Sequence, residues 1–263
     1  MRKKSIYNLK IMGERNCGTN WAELLVKDNC DARLIHHRGI LDREPTEFQK
    51  SVIREYSGLA RAYAREQVRD SIFDLQGGDF LGWKHACPNI ETLSKSELFD
   101  QTGILFFVRH PVTFIKSLHR RPYHALTKVS GSIDDFVNSP WVLTRRDNIP
   151  KPILRSPMDL WNYKVKSALE LQSELSNFKV VKYESVLEDV DTLFDTIKSE
   201  FDVSRLGRVT IDKSAKGDDL TTGDYKKKYL NKKPSSDLSK EELKAIVESI
   251  DWDVAAQLNY DKI

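Results

Sequence analysis

Short apolar blocks alternate with longer amphipathic stretches along the 263 residues, and that alternation sets the expected order of elements. Ile6 to Met12 is an apolar run closed by Gly13, which predicts a first strand, and Thr19 to Val26 has the periodicity of a helix. Ala32 to His36 predicts a short second strand. From Thr46 to Leu75, the residues Phe48, Val52, Ile53, Leu59, Ala60, Tyr63, Ala64 and Val68 recur at helical spacing among charges, with a break expected at Gly58. The stretches "GGDFLGWKH" and "GILFFVRHP" predict two more strands, the second bounded by Pro111 and leading into a helix over "TFIKSLHRR". Residues 123 to 157 show little periodicity and much Pro, Asn and Ser. A connection of that length in a compact domain is more often a binding surface or lid than filler.

Periodicity returns in "MDLWNYKVKSALELQSEL", a long amphipathic helix, followed by "FKVVKYESV", a strand expected to end in Tyr183-Glu184, and "LEDVDTLFDTIKSEFDV", a further helix. Residues 213 to 233 are basic, polar and glycine-containing. Beyond them "SKEELKAIVESI" predicts a capped terminal helix, with Ser239 at the N-cap and Glu242 as its capping-box partner. Strands alternating with helices in this way imply an α/β protein, a mostly parallel sheet with helices on both faces, folded as a single domain over residues 1 to 263.

Composition narrows the class of partner. Hydrophobic residues at 40% and charged residues at 31% supply material for a sizeable core, and a net charge of +3 is too slight to argue for nucleic acid. Anionic small ligands fit that charge. No stretch approaches the roughly 20 apolar residues of a membrane span, and the basic N-terminus lacks the apolar run of a signal peptide, so a cytoplasmic location is expected. Cys17, Cys30 and Cys87 follow no metal or disulfide spacing and suit a reducing compartment; no metal site is expected. Nothing in the pattern bears on oligomeric state.

The candidate chemistry starts in "LKIMGERNCGTNWAELLV". Gly13 and Gly18 have the five-residue separation of a phosphate-binding loop, but Thr19 stands where an ATP-using loop requires lysine. Backbone N–H groups of residues 16 to 20 and the first turn of the following helix can converge on phosphate oxygens, with the Thr19 hydroxyl added. "ILFFVRHP" ends in arginine where a magnesium-binding acidic strand would carry aspartate, which argues against a nucleoside triphosphatase. Arg109 at that strand end and Ser117, two turns into the next helix, can face one anion, the planar fork of arginine suiting phosphate.

Three elements in order, "CGTNW" before a helix, "FFVRHPVTFIKS" with seven residues between Arg109 and Ser117, and "VVKYESVLED", resemble the sulfotransferases that use 3′-phosphoadenosine 5′-phosphosulfate (PAPS). The resemblance implies their fold, related to that of P-loop nucleoside triphosphatases, and a donor that becomes adenosine 3′,5′-bisphosphate with no metal required. It gives the loop residues Arg15, Asn16, Cys17, Gly18, Thr19 and Asn20 to the 5′-phosphosulfate, Trp21 to the adenine face, and Arg109 and Ser117 to the 3′-phosphate. A C-terminal loop that folds over that phosphate is also implied, with Lys213, Lys216 or Lys226 as its cation. The family loop carries a cation two positions before the glycine matched by Gly18, whereas Asn16 stands there and Arg15 one place earlier. Arg15 and Lys84 are therefore both candidates for the transferring sulfonate. "GWKHACP" resembles the Lys-x-His-x-Pro run of members acting on small acceptors, shifted by one place, and makes His85 the candidate base. His37, beside His36 and Glu44 after the first helix, is the reserve.

Arg120, Arg121, Lys128, Arg145 and Arg146 interleave with Tyr123, His124 and Trp141, a mixture of cations and rings suited to a glycan or other anionic hydroxyl acceptor. Arg120, Arg121, Tyr123, His124 and Trp141 are the candidate acceptor residues. The alternative is a nucleotide- or RNA-binding protein, or a phosphoryl-transfer enzyme, using the same loop, for which the lysines and tyrosines of residues 213 to 233 speak.

Overall fold

The computed structural model describes residues 5–36, 47–76, 80–123, 126, 131–207 and 220–263. Strand β1 (Asn8–Gly13) leads through a turn into helix α1 (Thr19–Asn29), which returns to the short β2 (Arg33–Leu34). Two helices follow, α2 (Glu47–Arg54) and α3 (Gly58–Gln76), parted near Gly58 as the pattern predicts, then the single turn α4 (Ile90–Leu93). Strand β3 (Thr102–Val108) feeds α5 (Pro111–Arg120); α6 (Ile133–Val137) and a small hairpin, β4 (Trp141–Val142) with β5 (Ile153–Leu154), precede the long α7 (Met158–Glu174). The chain closes with β6 (Phe178–Lys182), α8 (Tyr183–Glu188), α9 (Asp191–Phe201), α10 (Thr222–Tyr229), α11 (Lys240–Ser249) and α12 (Trp252–Ala256).

The main sheet runs β2-β1-β3-β6, with every pairing parallel. Side chains of β1 and β3 divide by parity. Leu9, Ile11, Leu105 and Phe107 pack with Ala22, Leu25 and Val26 of α1 and with Leu193, Phe194 and Ile197 of α9. Met12, Ile104, Phe106 and Val108 pack on the opposite face with Val112, Phe114 and Ile115 of α5 and Trp161, Val165 and Ala168 of α7. Period-two alternation on a sheet covered from both sides yields three layers, the expected α/β architecture. Helix α11 is capped as predicted, though α12 follows it: the Glu242 carboxylate accepts from the Ser239 N–H at 2.8 Å and the Ser239 hydroxyl from the Glu242 N–H at 3.1 Å.

Three expectations need correction. In "GGDFLGWKH" residues 80–85 form turns, not a strand. Leu81 (φ 59) and Gly82 (φ 74) are left-handed, which breaks extended backbone, and one bond from the Gly13 N–H to the Lys84 carbonyl (2.9 Å) fastens the segment to β1. Strand β6 ends at Lys182 because its neighbour ends at Val108, opposite it, so Tyr183 and Glu184 begin a helix. The stretch from 131 to 157 is no open connection: Phe136, Trp141 and Asp147 are each 0% exposed and belong to the interior.

Candidate active site

The turn between β1 and α1 lies at the carboxyl end of the parallel sheet, where open α/β folds place their ligands. Gly13 (φ 142) must be glycine on steric grounds, since a Cβ would sit 2.4 Å from the Phe107 carbonyl oxygen. Gly18 (φ 87) caps α1 and would drive a Cβ to 2.4 Å from the Tyr183 ring. Among the described residues no side chain caps the first turn of α1, so its N-terminal N–H groups and the positive end of the helix dipole face the turn. Asn16 takes a left-handed conformation (φ 69) and turns its carbonyl toward Arg109. Cys17 is buried at 1% exposure, and burial pushes its thiol up, so the cysteine in the loop is a packing residue.

Arg109 follows β3 directly and is 2% exposed. Its Nη1 donates to the Asn16 carbonyl at 2.9 Å and to Ser117 Oγ at 3.2 Å, while Nε donates to Thr113 Oγ1 at 3.0 Å. Among the described residues its Nη2 is buried with no hydrogen-bond partner, and burial's lowering of the Arg109 pKa is outweighed first by the Tyr229 phenol. Arg120 Nη2 also donates to Ser117 Oγ, at 3.4 Å, and to the Tyr229 hydroxyl at 3.3 Å. Arg109 and Arg120 therefore converge on one serine, and the turn carrying Gly18 is joined to that cluster through Asn16. Trp161 Nε1 donates to the Arg109 carbonyl at 2.8 Å and holds its backbone. His110 starts α5 as a neutral imidazole whose Nδ1 accepts from the Val112 N–H; burial, and then the Arg109 charge, bring its pKa down to about 4.

The Tyr-Glu pair of α8 frames both parts. The Tyr183 ring covers Gly18 and meets Trp21 edge-on at 6.1 Å. Glu184 accepts from the His110 N–H at 2.9 Å and from the Tyr260 hydroxyl at 2.9 Å, tying the Arg109 turn to the C-terminal segment. Neither role is visible in the motif alone. The signal in the sequence was the position of both residues at the expected end of a strand.

Lys84 and His85 leave their turn in different directions. Lys84, 1% exposed, donates from Nζ to Asn20 Oδ1 at 2.6 Å and pairs with Glu23 Oε2 at 2.7 Å, both on α1. His85 Nδ1 lies 2.7 Å from the Gly13 carbonyl, and a carbonyl only accepts, so Nδ1 carries the proton and Nε2 is the basic nitrogen. The backbone of the turn is held by Lys164, whose buried Nζ donates to the His85 carbonyl at 2.7 Å, to Asp147 Oδ1 at 3.0 Å and to Glu14 in the loop. Burial lowers the Lys164 pKa, but Glu14 and Asp147 outweigh it and the net shift is upward. Lys164, Glu14 and Asp147 escape sequence reasoning because they come together only in three dimensions.

The other candidates fall into separate places. Arg15 sets its guanidinium 3.6 Å from the centre of the Tyr123 ring and 4.4 Å from that of Trp83. Trp141, an expected acceptor residue, is fully buried and packs edge-on against Phe136 and Tyr123, because the β4–β5 hairpin turns it inward. Tyr123 therefore lies between Arg15 and this core ring. Arg121 ends α5 at an exposed position. Arg120, expected at the acceptor, joins the Arg109–Ser117 cluster instead. Lys226 donates to the Glu188 carbonyl at 2.9 Å. His37, His124 and Lys216, with Glu44, Lys128 and Lys213, lie outside the described residues.

No family model and no curated protein sequence matches the chain. Two solved structures are similar to it over nearly its whole length. One is the sulfotransferase domain from the curacin biosynthetic pathway, 11% identical, with a TM-score of 0.44 over 98% of this chain and 99% of that one. The other is the sulfotransferase domain from the Synechococcus PCC 7002 olefin synthase, 13% identical, with a TM-score of 0.42 over 99% of this chain and 98% of that one.

Proposed function

We propose that this chain transfers a sulfonate group from PAPS to a hydroxyl acceptor. The observation that carries the reading is Arg109: a buried guanidinium that meets no carboxylate and whose Nη2 has no partner among the described residues, bonded to the phosphate-loop carbonyl of Asn16 and flanked by Ser117 and Arg120. Two anion-binding elements side by side, one a helix N-terminus and the other an arginine-serine cluster, fit a nucleotide phosphorylated at both ends of its ribose. A nucleoside 5′-monophosphate needs only the first.

The donor supplies a sulfonate on a good leaving group. The acceptor oxygen forms a bond to sulfur as the bond from sulfur to the bridging phosphate oxygen breaks, and the acceptor proton goes to a base. His85 has the required tautomer, with Nδ1–H spent on the Gly13 carbonyl, so that Nε2 receives the proton. Lys84 is the better of the two cation candidates for the transferring group, since its ammonium sits beside Asn20 in the first turn of α1 while Arg15 is sandwiched between rings. A glycan or other hydroxylated small molecule is the proposed acceptor class.

Titration calorimetry tests the donor. Adenosine 3′,5′-bisphosphate is expected to bind more tightly than AMP, and Arg109→Ala to remove most of that difference, about 1.5–3 kcal/mol for a charged hydrogen bond. Equal affinities in the unaltered protein would sink the proposal. For the base, His85→Asn should lower turnover by roughly 10²–10⁴ with nucleotide affinity retained. A variant that turns over normally would move the base elsewhere.

A further inference from the structure

Helix α10 lies over the Arg109 cluster and puts a side chain of its own into it. The Tyr229 ring centre is 4.0 Å from the Arg109 guanidinium carbon, and its hydroxyl accepts from Arg120 Nη2 at 3.3 Å. Tyr183 meets the same ring edge-on at 6.2 Å, and Tyr225, one turn back, lies 5.8 Å away. The helix is held at several points. Thr221 and Asp224 form a capping box at its start, Lys226 reaches the Glu188 carbonyl, and Lys116 of α5 donates to the carbonyls of Pro234 (3.2 Å) and Ser236 just beyond it. The phenol thus stands where two arginines and a serine would otherwise receive an anion.

We propose that Tyr229 is a built-in stand-in for the 3′-phosphate: its phenol closes the Arg109–Arg120 cluster in the nucleotide-free protein, and a nucleotide carrying a 3′-phosphate binds by displacing it. This rests on the reading of the donor given above. The groups facing the phenol are Arg109, Arg120 and Lys116 from the β3–α5 side, Tyr183 from α8, and Tyr225 and Lys228 on its own helix. Burial raises the pKa of the phenol, but Arg109, then Arg120 and Lys228, outweigh it and bring it down to about 7. The hydroxyl therefore gains anionic character near neutral pH, as a phosphate surrogate requires. AMP has nothing to place in this cluster and does not compete with the phenol.

The fraction of molecules with the cluster open multiplies the affinity for a ligand that needs it open, so removing the plug should tighten such a ligand selectively. Calorimetry with adenosine 3′,5′-bisphosphate and AMP on the unaltered protein, Tyr229→Phe and Tyr229→Ala separates the outcomes. Expected for Tyr229→Ala is about tenfold tighter binding of the bisphosphate with AMP unchanged, and a smaller gain for Tyr229→Phe, which keeps the ring over Arg109. The unaltered protein should also lose bisphosphate affinity between pH 6 and pH 8 relative to Tyr229→Phe, as the phenolate forms and holds the arginines. Ionisation of the ligand is common to both proteins and cancels. Unchanged or weaker bisphosphate binding in Tyr229→Ala would overturn the plug alone, as would an equal gain for AMP, which would mean general loosening of α10. Failure of all three proteins to bind the bisphosphate would overturn the donor reading and the plug together.

Discussion

Arg109 and Arg146 are both buried, and their surroundings differ in kind. Arg146 donates from Nη1 to Asp70 Oδ1 at 2.6 Å and from Nη2 to Glu66, two carboxylates on α3 that are themselves 0% and 2% exposed. Among the described residues Arg109 bonds to oxygens of Asn16, Thr113 and Ser117, faces the Tyr229 phenol and meets no carboxylate, with Nη2 unpartnered; the oxygens of Glu184 are taken by His110 and Tyr260. A buried arginine with two carboxylates is complete within the fold. One that meets no carboxylate, only hydroxyls, a carbonyl and a displaceable phenol, keeps its charge available to an anion that arrives. The same contrast separates Lys164, matched by Glu14 and Asp147, from the Arg109–Arg120 pair.

The comparison predicts opposite hierarchies for stability and binding. Arg146→Met leaves the buried Asp70 with the Arg145 N–H and Glu66 with Arg69, and should cost about 3 kcal/mol in urea unfolding. Arg109→Met strands no carboxylate and should cost about 1–2 kcal/mol, while abolishing the preference for a 3′-phosphate. If Arg109→Met were the more damaging of the two to folding, Arg109 would be a structural residue and the contrast would fail.

Acid sharpens it next. Burial raises the Asp147 carboxyl, but Lys164 and then Arg15 outweigh it and bring the pKa down to about 2 from an ordinary 3.8. A carboxyl depressed in the folded state contributes stability above its unfolded pKa and loses it as pH falls through the folded one, so about 2 kcal/mol should disappear between roughly pH 4 and pH 2. Unfolding of Asp147→Asn should show a deficit at pH 7 that narrows across that window. A deficit independent of pH would mean that Asp147 acts through its hydrogen bonds to Thr144 rather than its charge.

These two clusters also divide what is legible in the sequence. Gly13, Gly18, Arg109 and Ser117 lie within single strand-turn-helix units, so apolar runs and glycine spacing place them before any tertiary contact is known. Glu14, His85, Asp147 and Lys164 come from four separate segments, and no local pattern links them. The failure at "GGDFLGWKH" has the same origin. Trp83 and Lys84 are buried like strand residues, at 2% and 1% exposure, but by packing against Phe73 and pairing with Glu23, so burial imitates a strand without a ladder. Trp141 misleads in reverse: an aromatic among arginines resembles a binding surface until the hairpin turns it inward.

The finest test falls on Ser117. Its hydroxyl oxygen accepts from Arg109 at 3.2 Å and from Arg120 at 3.4 Å, which uses both acceptor positions and leaves its single proton to donate. A hydroxyl so arranged offers a donor to an incoming anion and nothing further to an incoming cation. Ser117→Ala should therefore weaken binding of adenosine 3′,5′-bisphosphate by about 1 kcal/mol, the net worth of one ordinary hydrogen bond, and leave AMP binding untouched. Because Arg109 keeps its bonds to Asn16 and Thr113, the cluster should hold its shape, and thermal unfolding should shift little. A loss as large as that of Arg109→Ala would mean that the serine positions the arginine rather than meeting the phosphate. Equal losses for both nucleotides would place Ser117 outside the second anion site altogether.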